Sequence, residues 1–262
     1  MISVSPHIVC FRASNPSPMT LDGTNCYIAF GRGEAFVIDV GPDEAPHLAA
    51  MSDYLQANHL KLRGILLTHT HSDHIQGLST FRQRTSTPVY AFTAGYEQAL
   101  HDGQRIALDA GALVVVHTPG HAGDCVCFFH EEDGVLIAGD TILGLGTSVI
   151  SPPEGDVSDY LASLERLKRL PARIIAPGHG PMIADPRAKL DEYIEHRLMR
   201  ERQIVEQLQS GPKTVDEMVA VIYRDVDKKL HGAAGWSVRA HLKRLEKAGK
   251  VRAEGERYRL QE

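Results

Sequence analysis

Residues 68 to 77 read Thr-His-Thr-His-Ser-Asp-His-Ile-Gln-Gly, which sets His69, His71, Asp73 and His74 within six positions directly behind the apolar run Ile65-Leu66-Leu67. Three imidazoles and a carboxylate at the end of a strand make a poor core. They make a good cation site, because neutral imidazole and carboxylate are the usual ligands of zinc and its neighbours. Residues two apart in extended chain point the same way, so His69 and His71 can hold one ion together. Asp73 and His74 fall where the chain should turn into a helix, aimed at a second ion. Three later segments repeat the theme: His117-Thr-Pro-Gly-His121, Ala138-Gly-Asp140 and Ala176-Pro-Gly-His179-Gly. Together they give five His and two Asp on four loops. A catalytic zinc takes three protein ligands plus water. Seven ligands with one shared carboxylate therefore fit a two-metal site with a hydroxide between the ions.

The elements that must position these loops are short. Each later segment follows a β-branched or aliphatic run: Leu113 to Val116, Val135 to Ile137, and Ile174-Ile175. Each ligand thus sits at a strand end beside a glycine that permits a turn or close approach. Upstream, His7 to Arg12, Asn25 to Phe30 and Ala35 to Val40 read as strands. Glu44 to Ala57 reads as a helix with Leu48, Met51 and Leu55 at helical spacing. Strand Leu62 to Thr68 delivers the first cluster, and a helix is expected from about Ile75. Further strands are expected near Val89, Leu113, Val126 and Val135. Asp156 to Leu170 is an amphipathic helix stopped before Pro171. Periodicity by itself says α/β.

The tail has a different character. A long helical pattern covers Pro186 to Gln209 and stops at Gly211-Pro212. Thr214-Val-Asp-Glu217 is a capping box opening a helix to Tyr223. Trp236 to Ala248 is a further helix, and Lys250 to Leu260 alternates around Glu-Gly as a hairpin. Two helices and a hairpin of this size form a winged-helix pattern. The second helix carries Arg239, Lys243 and Lys247 on one face, with Glu246 interrupting it; this face suggests nucleic-acid contact, the alternative being a solvated face on a domain that only roofs the active site.

Composition points to a soluble enzyme of 262 residues with 43% hydrophobic residues, enough for a large core and a second small domain. No apolar run approaches the roughly 18 residues of a membrane helix. The opening Met-Ile-Ser-Val-Ser-Pro lacks a basic start and apolar stretch, so a cytoplasmic location is expected. Cys10, Cys26, Cys125 and Cys127 form no disulfide or zinc-ribbon pattern and read as buried free thiols. Of 28 Lys+Arg and 33 Asp+Glu, residues 186 to 262 hold 17 and 13, leaving 11 and 20 for residues 1 to 185. The metal-bearing part is about −9 and the tail about +4, which argues against broad electrostatic binding of nucleic acid by the former.

The sequence His-x-His-x-Asp-His, Thr-Pro-Gly-His, Gly-Asp, Pro-Gly-His resembles the metallo-β-lactamase fold superfamily in order and spacing. The resemblance implies a four-layer αββα sandwich over residues 1–185 and a linking helix with a winged helix over 186–262. It implies one metal on His69, His71 and His121, a second on Asp73, His74 and His179, and Asp140 between them. Two divalent ions are expected, zinc first, with iron or manganese as alternatives. The winged helix and the opening Asn15-Pro-Ser-Pro-Met-Thr-Leu-Asp-Gly-Thr-Asn25 further resemble the β-lactamase-like protein 2 family. That family includes a single-strand endoribonuclease and relatives that hydrolyse thioesters of carrier-bound intermediates.

The resemblance implies a hydrolase in which a metal-bridging hydroxide attacks phosphorus or a carbonyl carbon, with Asp73 as ligand and proton shuttle. It places Thr24 and Asn25 near the site as substrate contacts, and Arg239 and Lys243 would hold nucleic acid. The expected substrate is single-stranded RNA, with a small-molecule ester or thioester as the alternative. Asp140 stands where true zinc β-lactamases carry Cys or Ser, so antibiotic hydrolysis is a minor reading. The loop Thr141 to Gly155 is too short for an inserted RNA-clamping domain. A different class, a winged-helix regulator with a non-catalytic metal site, is opposed by the full set of seven ligands.

Overall fold

Short runs of β-branched and aliphatic residues build the strands of this chain, as the pleated, half-buried surface favours. The computed structural model describes residues 1–261. In chain order the elements are β1 (Ile2–Ser5), β2 (Ile8–Arg12), β3 (Asn25–Phe30), β4 (Glu34–Ile38), α1 (Ala45–Ala57), β5 (Lys61–Leu66), α2 (Ser72–Ile75), α3 (Leu78–Thr85), β6 (Val89–Ala91), β7 (Gln98–Ala99), β8 (Arg105–Leu108), β9 (Gly111–His117), β10 (Val126–His130), β11 (Val135–Gly139), α4 (Val157–Leu167), β12 (Ile174–Pro177), α5 (Pro186–Gln209), β13 (Lys213–Thr214), α6 (Val215–Ile222), α7 (His231–Lys247), β14 (Val251–Glu254) and β15 (Arg257–Leu260). They group into two units. The first is Met1–Thr118, Asp124–Ser148 and Leu170–Pro186; the second is Pro119–Gly123, Val149–Arg169 and the chain from Arg187 onward.

The first unit holds two sheets. One has seven strands in the order β1 to β7, antiparallel as far as β4 and parallel from there. The other runs β12-β11-β10-β9-β8, with only the β11–β12 pair parallel. Alternation decides which side chains meet between the sheets. Ile8, Cys10, Tyr27 and Ile38 from the first pack with Leu113, Val115, Phe128 and Ile137 from the second. The opposite face of the first sheet buries Val9, Phe11, Ile28 and Val37 against Leu48 and Met51 of α1 and Phe81 of α3. Helix, sheet and sheet are thus stacked within this unit alone. All four cysteines are buried free thiols, and burial pushes Cys10 up to about 12. Asp133 joins the two sheets, accepting from Ser5 Oγ at 2.6 Å and His7 Nδ1 at 2.9 Å.

The second unit is helical apart from its three-stranded sheet, ordered β13-β15-β14. Its core joins Ile204 and Leu208 of α5 to Val215, Met218, Val238, Leu242, Leu245 and Val251. The capping box of α6 is formed, with Glu217 N donating to Thr214 Oγ1 at 3.2 Å and Thr214 N to Glu217 Oε2 at 2.7 Å. Helix α4 groups with this unit rather than with the sheets. Its cap Asp156 accepts from Ser158 N and from Lys247 Nζ of α7, and its Lys168 reaches Asp191 of α5 at 2.5 Å. Buried Arg197 lies over the Tyr160 ring of α4, 5.1 Å from its centroid. The expected boundary at residue 186 therefore marks where the tail begins, while α4 and two loops from earlier in the chain cluster with it.

Two expectations need correction. Helix α7 begins at His231 rather than Trp236, because Gly232 and Gly235 hide an opening turn that Asp227 prepares by accepting from Lys229 N at 2.9 Å. The helix expected from Ile75 divides into the four-residue α2 and the longer α3, with Gly77 between them.

Candidate metal centre

Six of the seven expected ligands lie in the first unit, all at C-terminal strand ends or in α2. His69 and His71 follow β5, Asp73 and His74 open α2, Asp140 follows β11 and His179 follows β12. Ligand atoms of His69, His71 and Asp140 lie within 4.8 Å of one another, and so do those of Asp73, His74 and His179. Asp140 reaches both groups: its Oδ1 is 3.3 Å from His74 Nε2 and 3.4 Å from His179 Nε2. Asp73 Oδ2 is 3.1 Å from His179 Nε2 and 3.5 Å from His74 Nε2. His121 stands on the loop 119–123, which belongs to the second unit.

The hydrogen bonds fix which imidazole nitrogen faces this cluster. Asp39 is buried and accepts from Thr68 N at 2.8 Å, Thr68 Oγ1 at 2.7 Å and His74 Nδ1 at 2.8 Å. Thr68 has committed its hydroxyl proton to Asp39, so its oxygen can only accept from His69 Nδ1, 3.0 Å away. His179 Nδ1 donates to Gly23 O at 3.2 Å, and His121 Nδ1 to Val149 O at 2.7 Å. Four imidazoles thus hold their proton on Nδ1 against an acceptor of the chain, which leaves Nε2 as the basic nitrogen. This is how metal-ligating histidines are oriented. His74 Nε2 is buried, makes no hydrogen bond of its own and faces two carboxylates. The nitrogen and oxygen donors present, in two groups sharing a carboxylate, fit divalent cations.

The electrostatics agree. Burial alone would lower the His74 pKa, yet the carboxylates of Asp140 and Asp39 hold it well above the ordinary imidazole value. His179 is likewise desolvated and yet raised to about 9 by Asp140 and Asp73. Asp140 is held well below the carboxylate range, its burial outweighed by His74 and His179. The pocket stabilises positive charge, which a metal ion supplies better than protons do.

Thr24 and Asn25, expected as substrate contacts, are 0% and 1% exposed. Thr24 bridges to His179 across a β-pairing, and its Oγ1 donates to Asp73 Oδ2 at 3.4 Å while accepting from Asn15 Nδ2 at 2.9 Å. Asn25 donates to Pro177 O and Gly180 O and accepts from Arg12 Nε. Both brace the ligand loops and offer no surface to a substrate. Arg239 is exposed on α7, and Lys243 is half-buried there. The reading of the sequence missed Asp39 and Asn15. A carboxylate inside the apolar run Phe36-Val37-Ile38-Asp39-Val40 was the available signal, since burying one requires partners. Asn15 opens the segment that resembles the family, but nothing beside it in sequence marked it as the partner of Thr24.

The fold and the ligand geometry have counterparts among known proteins. Residues 19–111 and 95–179 match the model of the metallo-beta-lactamase superfamily, and residues 214–259 match the beta-lactamase associated winged helix domain. A beta-lactamase-like protein 2 homolog of Drosophila melanogaster is 35% identical over 259 residues, covering 91% of this chain and 87% of its own. An atrochrysone carboxyl ACP thioesterase of Aspergillus fumigatus is 33% identical over 213 residues, covering 79% of this chain and 66% of its own. The crystal structure of a metallo-beta-lactamase family protein from Thermus thermophilus superposes with a TM-score of 0.82 at 26% identity, covering 99% of this chain and 100% of that one. The chain belongs to the metallo-beta-lactamase superfamily and carries that superfamily's associated winged helix at its C-terminal end.

Proposed function

We propose that this superfamily hydrolase cleaves phosphodiester bonds of single-stranded RNA at a dinuclear metal centre. The observation that carries the reading is the pair of ligand groups sharing Asp140, with their imidazoles oriented through Nδ1. His69, His71 and His121 would hold one ion, Asp73, His74 and His179 the other, and Asp140 both. Assignment of His121 follows from the family pattern and from its position four residues beyond β9. Divalent ions held there, zinc first, would supply a water deprotonated at neutral pH and Lewis acidity toward the scissile group.

The chain's own residues do the positioning. Asp39 fixes His74, Gly23 O fixes His179 and Thr24 Oγ1 steadies Asp73. Asp73 is the more exposed of the two carboxylates at the centre, 28% of its side chain against 13% for Asp140, so solvent and substrate reach it more readily. It is placed to hold the proton released by the attacking water and return it to the leaving oxygen. The choice of RNA rests on Arg239 and Lys243 of α7, which form no ion pair among the described residues. The decisive experiment is cleavage of labelled single-stranded RNA by metal-replete protein, with Asp140→Ala and a chelator as controls. Cleavage lost in both controls supports the reading, and no cleavage by protein holding two metals refutes it.

One second reading has an observation behind it: the thioesterase relative covers 79% of the chain. Turnover of acyl thioesters by the same metal-replete protein, with RNA untouched, would replace the RNA reading by that one.

A further inference from the structure

The cations of the second unit fall into two sets. On the wing, Arg257 pairs with Glu217, and Arg252 and Arg259 both pair with Glu254. Arg244 of α7 pairs with Glu201. Lys228, Lys229, Arg239, Lys243 and Lys250 form no ion pair among the described residues. The first two sit in the turn that opens α7, and Lys250 lies just past its end. Three carboxylates of these elements have other partners: Glu246 accepts from Ala253 N at 3.1 Å, Asp227 caps the turn, and Asp156 takes Lys247.

Trp236 stands at the head of the same strip. Positions 236, 239, 243 and 247 share one helical face, and Trp236 is 49% exposed although the neighbouring Val238 and Leu242 are buried. The indole thus stands half in water on the helical face that also carries Arg239 and Lys243, neither of which forms an ion pair among the described residues.

We infer that Trp236, Arg239 and Lys243 form a track for single-stranded nucleic acid, in which an unpaired base stacks on the indole and the two cations follow the adjoining phosphates. The inference rests on the RNA reading above for its choice of polyanion. Single strands are favoured over duplex for two reasons. A flat, exposed ring needs a base face, which pairing conceals, whereas every unpaired base offers one. The wing guanidiniums, which would brace a winged helix against a duplex backbone, are already engaged by Glu217 and Glu254. Stacking with backbone charges gives affinity without sequence preference, as suits a strand fed to a hydrolytic site.

Trp236 is the chain's only tryptophan, so its fluorescence reports this surface alone. The test titrates metal-loaded full-length protein with a fluorescein-labelled oligo-U, reading label anisotropy and tryptophan emission together. Emission should be quenched with the same midpoint as the anisotropy rise. Trp236→Ala should weaken binding about tenfold, within the range for one stacked base, and Trp236→Phe should restore part of it. Arg239→Ala and Lys243→Ala should each lower the slope of log K against log salt by about 0.7. Duplex of the same length should leave the emission unchanged. An anisotropy rise without quenching, or unchanged affinity in Trp236→Ala, overturns the track while leaving RNA hydrolysis standing. Quenching without any cleavage keeps the track and removes the hydrolysis reading. An acidic protein that quenches Trp236 where oligo-U does not overturns the track as well.

Discussion

Gly178 is the position at which Asp140, proposed above to bridge the two ions, leaves no room for a side chain. A Cβ built there would lie 2.3 Å from Asp140 Oδ1, 2.9 Å from Gly139 C and 3.0 Å from Gly139 O. Gly178 N donates to Gly139 O at 2.7 Å, and Gly178 O accepts from Asn25 N at 2.7 Å, so the backbone is pinned from both sides. The strand end cannot slide away, and the carboxylate must move instead. Ordinary contact begins at 3.4 Å, so Asp140 Oδ1 has to retreat by about 1.1 Å, the difference between 3.4 and 2.3. A displacement of that size costs on the order of 10²-fold in turnover, and crowding in a packed interior costs about 1–3 kcal/mol of stability.

The assay pairs metal stoichiometry by mass spectrometry with RNA cleavage, below the midpoint of a thermal melt run on the same sample. Gly178→Ala should remain folded, lose metal occupancy and cleave about 10²-fold more slowly. Gly232→Ala is the control, because its Cβ meets nothing within 4 Å; lying in α7, it should gain about 0.5–1 kcal/mol of stability and keep full activity. A folded Gly178→Ala that holds two metals and cleaves within threefold of the parent would refute the bridging role of Asp140.

Asp39→Asn sets an NH₂ against either Thr68 N, at Oδ1, or both Thr68 Oγ1 and His74 Nδ1, at Oδ2, and should weaken metal binding about 10–100-fold; competition with a chromophoric chelator measures it, and unchanged affinity would contradict the orienting role. Thr24→Val removes the hydroxyl between Asn15 and Asp73 and should lower kcat about tenfold with KM unchanged, while Thr24→Ser restores it; equal loss in both variants would show that packing, not the hydroxyl, matters. His196 is lowered from 6.5 to about 4, first by burial and then by the charges of Arg197 and Arg200. Its neutral form is thus favoured by folding, so its contribution is full above pH 6.5 and is lost as pH falls toward 4. Urea melts of His196→Gln should show a shallower loss of stability than the parent across that window, and parallel curves would exclude the assignment.

The ligand set was legible because chemistry and local structure coincide there. Each histidine or aspartate follows an apolar run too short to be a helix, and each of Gly120, Gly139 and Gly178 stands next to a ligand. The capping box at Thr214 and the wing turn at Gly255, with φ 62°, were legible for the same reason, since both are set by neighbours in sequence. What the chain order concealed is long-range. Asn15, Thr24 and Asp73 are joined over 9 and 49 residues of separation. Asp39 reaches His74 across 35. The loop 119–123 and helix α4 cluster with the tail through Asp156–Lys247 and Lys168–Asp191, pairs whose members look like ordinary surface charges in sequence. Short edge strands such as β1 and β7 also escaped, because four and two residues carry too little periodicity to read.

The sign of the local field separates the two contacts with RNA proposed above. Asp39, Asp73 and Asp140 place three carboxylates around the centre, within a part of the chain that is itself acidic. Without metal, protonation of His74 and His179 offsets two of the three carboxylates and leaves a site that is still net negative toward a phosphodiester. Two divalent ions would displace those protons and bring four positive charges, which outweigh the three carboxylates and make the site attractive. Arg239 and Lys243 of α7 need no such reversal, because they form no ion pair among the described residues. Metal-free protein should therefore still quench Trp236 emission with oligo-U, at an affinity within a few fold of the metal-loaded form, while cleavage is abolished. Adding zinc should restore cleavage without shifting the quenching midpoint by more than the same few fold. If chelation removes both signals together, α7 has no independent hold on the strand, and the metal centre alone accounts for substrate capture.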